Sequence, residues 1–550
     1  MPWIALVGPE FEENLSLRYL ASSLERAGFR AELLAFNRES DLPRLVDAIA
    51  RAPGGEPPLL VGLSLAFQWR AKDFLALAMA LRQAGHRGHV TAGGHFATFA
   101  CRELLRDFPE LDSICRQESE ETIVSVARAL ADGEPLGAIA GLGLRDQRGE
   151  PYLTEMPTLP ELARLPRPDR RGEPAACFGH RIAPLVSSRG CYANCTFCCI
   201  AAWHEETQPG KRFRLRSAAD VADEMVAEQR ERGIEIFVFH DDNFFVPGHR
   251  KNADRFHALA DALEERGIGR FATVVKARPT DVEPEVFRIL KERLRCIRVY
   301  VGVETDADQG LKTLGRWAQS KQNHRAIEIV RALELYTCFN MLIFDPDTTV
   351  ASIERNIAFI REASEFPFNF GRVELYAGTP LLGRMQFERR CWGDYMQWDY
   401  ALASAEVERI FALSMRAFHE RNFGEAALAN RIMGTRFDVE VARHFHPERF
   451  RREWLDEGRA LNRALALDTA DGLAAIVDFV KRVPPQGDGE RDDEFVSELA
   501  ERLRSTESDI ARRCRALARA IMEVVGGVPL TEIGDRVATP LQRARAEVRP

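Results

Sequence analysis

Cys191-Tyr192-Ala193-Asn194-Cys195-Thr196-Phe197-Cys198 sets three thiols in a CxxxCxxC spacing, directly after an apolar stretch at 184–187 and the turn residues Arg189 and Gly190. Three thiolates on one tight loop can wrap one face of an iron–sulfur cubane. Four cysteines would saturate such a cluster, whereas three leave one iron open to a substrate or cofactor. The alternative is a zinc site completed by the adjacent Cys199, because four thiolates make a closed structural shell. Zinc sites usually draw two cysteines from each of two knuckles, and this run stands alone. Outside that alternative, Cys199 reads as a small buried residue.

The elements around this run must hold it at a strand end. Strands are predicted at 183–187, 234–240, 271–277, 297–303, 338–344 and 371–376, with helical periodicity between each pair. Six strand–helix repeats over 183–400 predict a partial (β/α)6 TIM-like barrel open on one side. Such a barrel places its chemistry at the carboxyl ends of its strands, where RGCYANC, HDDNF, KARPT, ETD, DPDTT and AGTP fall. Upstream, residues 1–145 alternate strands (4–7, 31–36, 59–65, 90–92, 113–115) with amphipathic helices, the pattern of a doubly wound, Rossmann-like parallel sheet. In the first of those helices Leu17, Leu20, Ala21 and Leu24 recur at helical spacing and Gly28 suits its end. Residues 146–182 are rich in Pro, Arg and Gly and read as a surface linker. Residues 401–550 read as mostly helical, with a flexible connector at 484–493 (PPQGDGERDD) and a charged helical tail over the last 55 residues. The predicted fold class is therefore α/β with a helical C-terminal region.

Composition bounds the rest. A chain of 550 residues, 45% hydrophobic and 29% charged, is expected to be a soluble protein of two or three domains, and it has no apolar run of membrane-spanning length. The opening MPWIALVGPE shows no export signal, and eleven cysteines are an odd number scattered along the chain, so a reducing, cytoplasmic setting is expected. A net charge of −8 argues against a nucleic-acid partner, although Lys211, Arg212, Arg214 and Arg216 form a local basic run.

The cysteine spacing, with aromatic Phe197 just before the third cysteine, resembles the radical S-adenosylmethionine (SAM) superfamily. The resemblance implies that Cys191, Cys195 and Cys198 hold a [4Fe–4S] cluster whose unique iron takes the amino and carboxylate groups of SAM. One electron, delivered by an external reductant such as flavodoxin or ferredoxin, would then release a 5′-deoxyadenosyl radical. It also implies SAM contacts from Phe197, from Asp242 or Asn243 in HDDN, where the family has a GGE-like motif, from Arg278, and from Glu304 in GVET, which is similar to G-x-E-S. Each has a structural reading beside it: a solvated loop for the acids, an ion pair for Arg278 and Glu304. The run 345–349 (DPDTT) departs from the family's G-x-P-G-E, which puts the adenine contacts in doubt, and Gly378-Thr379-Pro380 match a common G-T-P ending or simply a turn.

The first domain resembles the cobalamin-binding domain fused to many radical SAM enzymes. Ser64 in VGLSLAF, Gly93, Gly94 and His95 in TAGGHFAT, and Glu118 in ESEET, where relatives carry G-E-G-E-T, are the implied cobalamin contacts. The D-x-H-x-x-G loop is absent, because Gly8-Pro9-Glu10-Phe11-Glu12 follows the first strand, so no histidine from that loop is expected on cobalt. His95 is expected beside the cofactor tail. Together these imply a cobalamin-dependent radical SAM methyltransferase acting on an unactivated carbon of a natural-product or other small-molecule precursor, a peptide included. The alternatives are non-methylating cyclisation, ring contraction or oxidation with the same cofactors, and a cluster- or cobalamin-based sensor or electron carrier. Tyr376, Trp392, Tyr395, Trp398 and Tyr400 either line a substrate pocket or pack a domain junction.

Overall fold

The computed structural model describes residues 2–50, 56–207, 213–424, 427–484 and 489–530. Its first sheet runs through β1 (Trp3–Gly8), β2 (Arg30–Ala35), β3 (Leu60–Ser64), β4 (His89–Gly93), β5 (Ser113–Cys115), β6 (Leu142–Arg145) and β7 (Pro151–Leu153). The spatial order is β2-β1-β3-β4-β5-β6-β7; the first five strands are parallel and the last two antiparallel. Helices cover both faces, so β1 and β3 are buried on either side and read as unbroken apolar runs. The order reverses between β1 and β3, which opens a crevice beyond Gly8 and Ser64 at their carboxyl ends. Asn14 caps helix Leu15–Arg26 by accepting the Leu17 N–H, and Gly28 follows its end at φ 91°.

The stretch 146–182 is more than a surface linker. It contributes β7 to the first sheet and β8 (Ala175–Cys177) to the second. Between them Arg170 binds Glu13 of the first domain at 2.5 Å and Glu224 of the barrel at 2.9 Å. These strands are only three residues long, too short for any periodicity to show.

The second sheet continues with β9 (His180–Leu185). A hairpin of β10 (Ser188–Gly190) and β11 (Phe213–Leu215) follows, carrying the cysteine run between its arms. Then come β12 (Ile234–Phe239), β13 (Ala272–Ala277), β14 (Cys296–Glu304), β15 (Thr337–Phe344) and β16 (Phe368–Arg372), in the order β16-β15-β14-β13-β12-β9-β8. Six parallel strands make the partial barrel, with β8 antiparallel at the edge. The sixth strand pairs over 368–372 rather than 371–376; Phe368 and Phe370 supply its outward packing, and the chain beyond continues toward the mouth. A small hairpin of β17 (Cys391–Asp394) and β18 (Gln397–Tyr400) closes this part.

Helices Ala405–Phe423, Leu428–Phe445, Arg452–Arg482 and Glu490–Val525 form the C-terminal region. Phe437, Val441 and Phe445 of the second pack with Ile236, Ala272, Val274, Ile297 and Tyr336, so this helix closes the floor of the barrel's inner face. Of the connector expected at 484–493, residues 490–493 instead open the helix Glu490–Val525, where three acids occupy the first turn, and 485–488 lie outside the described residues, as do residues 531–550 of the tail. Among the described residues no helix is long and apolar enough to cross a membrane.

Candidate cofactor site at the barrel mouth

The cysteine run leaves β10 at the first strand end and enters helix Cys199–Thr207. Its middle is fastened to the barrel: Thr196 donates its N–H to Leu314 O at 3.0 Å and its hydroxyl to Thr313 O at 2.7 Å, and accepts the Leu381 N–H at 2.8 Å. Gly315, at φ 61°, lets the chain pass so close that a Cβ there would meet Asn194 O at 2.9 Å. The Cys195 sulfur accepts from Arg316 Nη1 at 3.4 Å and Arg278 Nη1 at 3.8 Å, and the Cys191 sulfur from the Ala193 N–H at 3.4 Å. Two guanidiniums beside a thiol favour the anionic charge of a thiolate-bound cluster. Burial pushes the Cys191 and Cys198 thiols up, a cost that metal coordination offsets. Among the described residues no three Cys, His, Asp or Glu side chains converge on a single ion. A cubane asks for thiolates spread over different irons, so the donor set fits a cluster better than the four-thiolate zinc site that Cys199 would complete.

Arg316 is a site residue that no local pattern announces. It follows helix Asp308–Thr313 and reaches Cys195 across 121 positions of sequence. Its Nη1 also lies 3.8 Å from Glu304, whose φ of 64° is a strained choice for a residue with a side chain. Burial raises the Glu304 carboxyl, against the pull of Arg316 and Arg278. Asp242 accepts the Gly190 N–H at 2.9 Å, which ties the second strand end to the cluster loop. Asn243 accepts the Phe245 N–H, and its buried amide lies beside the Tyr192 hydroxyl at the edge of the cluster loop. Phe197 packs against the barrel core. Tyr192, Arg278, Asp281 and Trp317 border a cavity of about 320 Å³ beside the loop.

Other polar strand ends have structural duties. Asp345 accepts the Asp347 N–H and the Thr348 hydroxyl, and Asp347 is paired with Arg384 at 2.8 Å and Arg390 at 2.9 Å. Thr379 caps helix Pro380–Phe387, and Gly378, at φ 76°, lies under the Phe99 ring of the first domain. The aromatic run mostly packs: Tyr400 is buried against Arg372, and Tyr395 stacks on Phe96 at 6.4 Å. Trp392 is exposed on the outer hairpin.

The first domain presents the ends of β3 and β4 to this mouth. Ser64 and His95 are half-buried where most neighbours are fully buried, which marks space in the crevice. Gly94 has a packing reason as well: at φ 108°, a Cβ there would meet Ala66 Cα at 2.8 Å. Gly93 lies against Cys115, where a Cβ would meet its carbonyl at 3.3 Å. The His95 ring sits 4.5 Å from Trp203, on the helix that leaves the cysteine loop. Burial lowers its imidazole, opposed by Asp242 and Glu118.

Glu118 is engaged by the barrel. One carboxylate oxygen takes Arg189 at 2.7 Å and the other takes Arg214, while Arg189 also binds Glu120 at 2.6 Å. Arg189 and Arg214 are direct cross-strand partners in the β10–β11 hairpin, so these acids neutralise like charges held face to face. Of the basic run expected at 211–216, Arg214 is thus already paired. Arg216 is spent on Asp220 and Glu224 at 2.7 and 2.6 Å, and Lys211 and Arg212 lie outside the described residues. His204 lies between Glu118, at 3.8 Å, and Asp242, at 3.9 Å.

Among known proteins, the B12 binding domain family matches residues 4–127 and the Radical SAM superfamily matches residues 185–360. An uncharacterized methyltransferase of Pyrococcus horikoshii is 25% identical over 338 residues, which is 60% of this chain and 67% of that protein. The hopanoid C-3 methylase of Methylococcus capsulatus is 27% identical over 344 residues, 61% of each chain. The chain therefore spans about two thirds or less of these relatives. The structure of the cobalamin-dependent S-adenosylmethionine radical enzyme OxsB with aqua-cobalamin and S-adenosylmethionine bound has a TM-score of 0.65 at 18% identity, covering 96% of this chain and 84% of that one. The chain thus carries a B12 binding domain followed by a radical SAM domain, the pairing that the cobalamin-dependent radical SAM structure also has.

Proposed function

We propose that the protein is a cobalamin-dependent radical SAM methyltransferase that alkylates an unactivated carbon of a small molecule. The observation that carries this reading is the direct seating of the cobalamin-type crevice on the cluster loop, through His95 on Trp203 at 4.5 Å and Glu118 on Arg189 at 2.7 Å. Two cofactors held by these elements would face one cavity. When bound, the cluster supplies an electron for cleaving SAM and the cobalamin carries a methyl group. Cys191, Cys195 and Cys198 would hold the cluster, and Arg278 and Arg316 would balance its charge. Asn243 and Glu304 would orient SAM by its polar groups, and Ser64, Gly93, Gly94 and His95 would line the cobalamin.

The names of the relatives support methyl transfer, and the six-stranded barrel with polar strand ends favours an enzyme over a sensor or electron carrier. Product analysis tests it. Anaerobically reconstituted protein given reductant, SAM and its substrate should form both 5′-deoxyadenosine and S-adenosylhomocysteine. Formation of 5′-deoxyadenosine without S-adenosylhomocysteine would exclude methyl transfer and leave a cyclisation, ring contraction or oxidation.

A further inference from the structure

The barrel's inner face carries two cations that the proposed cofactor site does not use. Successive residues of a strand face opposite sides of its sheet. Val275, Val299, Val301 and Phe339 lie in the core under the surrounding helices, so Lys276, Arg298, Tyr300 and Asn340 face the lumen. The register sets Lys276 opposite Tyr300 and Val274 opposite Arg298, making Lys276 and Arg298 diagonal neighbours across β13 and β14. Lys276 is exposed although it stands between buried Val275 and Ala277 on a strand paired on both sides. An exposed side chain there means that the lumen is open at that level. Below it, Arg298 lies 5.8 Å from both the Tyr336 and Phe437 rings, against the helix that forms the floor.

Neither cation has a carboxylate partner. Among the described residues Lys276 makes no hydrogen bond or ion pair. Arg298 donates to Cys338 Sγ at 3.3 Å, and its buried Nε has no partner. No inward position of β13, β14 or β15 below Glu304 carries an acid. Glu12, at the mouth, feels the charge of Lys276 but pairs with His240 at 3.5 Å. A cation enclosed as Arg298 is, between two rings with its Nε buried, is normally kept only where something pairs with it, and Lys276 stands on the open side of the same face.

We propose that the lumen binds an oxyanionic substrate, its carboxylate or phosphate held by Lys276 and Arg298 beside Tyr300. This rests on the radical SAM reading in that the barrel must receive a substrate. The SAM carboxylate has the same chemistry, and the test separates the two sources. Reconstituted holoenzyme is titrated calorimetrically with phenylacetate, its neutral amide and inorganic phosphate, and separately with SAM, in the wild type, Lys276→Met and Lys276→Arg. The expected result is that both anions bind the wild type at least about tenfold more tightly than the amide, lose about tenfold or more in Lys276→Met, and largely recover in Lys276→Arg, with SAM affinity held within about twofold. Equal anion binding in wild type and Lys276→Met would overturn the proposal. So would a tenfold loss of SAM affinity in Lys276→Met, which would give the lysine to the SAM carboxylate. SAM cleavage by the wild type separates the levels: cleavage without anion selectivity overturns this inference alone, and anion selectivity without cleavage overturns the radical SAM reading alone.

Discussion

Glu118 and Arg189 meet at 2.7 Å with side chains only 4% and 16% exposed, joining the first domain to the strand that launches the cysteine loop. Removing one partner of such a pair leaves the other charge buried and uncompensated. Glu118→Gln, which strands Arg214 and leaves Arg189 with Glu120 alone, should cost about 3 kcal/mol. Differential scanning calorimetry should show a lowered midpoint, and hydrogen exchange should show protection lost in the β10–β11 hairpin. Unchanged protection there would mean that the domains are coupled elsewhere.

Gly94 fixes the turn into the helix that carries His95. Its φ of 108° and the 2.8 Å approach of a Cβ to Ala66 predict that Gly94→Ala costs about 1–3 kcal/mol and displaces His95. Cobalamin retained per chain after gel filtration should fall well below the wild-type value.

Burial lowers the His204 imidazole to about 4, outweighing the pull of Asp242; Arg214, His95 and Arg189 push the same way as burial. The unfolded chain takes up this proton near pH 6.5 and the folded one only near pH 4. Stability from this group is therefore full above pH 6.5 and lost as pH falls toward 4, by about 2–3 kcal/mol. The melting temperature of His204→Gln should fall less than that of the wild type across that window; parallel curves would contradict the assignment.

Arg316 places positive charge 3.4 Å from the Cys195 sulfur. Arg316→Met should make a bound cluster harder to reduce, shifting its midpoint potential negative by on the order of 60 mV, and Arg316→Lys should restore much of the shift. Redox titration followed by electron paramagnetic resonance reads this directly.

What the chain announces about itself follows from the range of each interaction. Buried parallel strands are continuous apolar runs, so β1, β3, β12 and β15 are visible locally. Strands β7 and β8 pair at sheet edges in a proline- and arginine-rich stretch, where nothing local demands extension. The cysteines are legible because one short loop must hold them together. Arg316 is not, since only the folded barrel brings it to Cys195. The arginine partners of Glu118 are likewise invisible locally: its place in ESEET suggests a cofactor contact, and only the fold brings arginines 71 and 96 positions away to its carboxylate.

The central claim is that Cys191, Cys195 and Cys198 hold a cluster that cleaves SAM. Its most direct test is 5′-deoxyadenosine, measured by mass spectrometry after anaerobic reconstitution with iron, sulfide, SAM and dithionite. The wild type should form it and Cys195→Ala should form none. Product from Cys195→Ala, or none from a wild type that carries four irons per chain, would contradict the assignment.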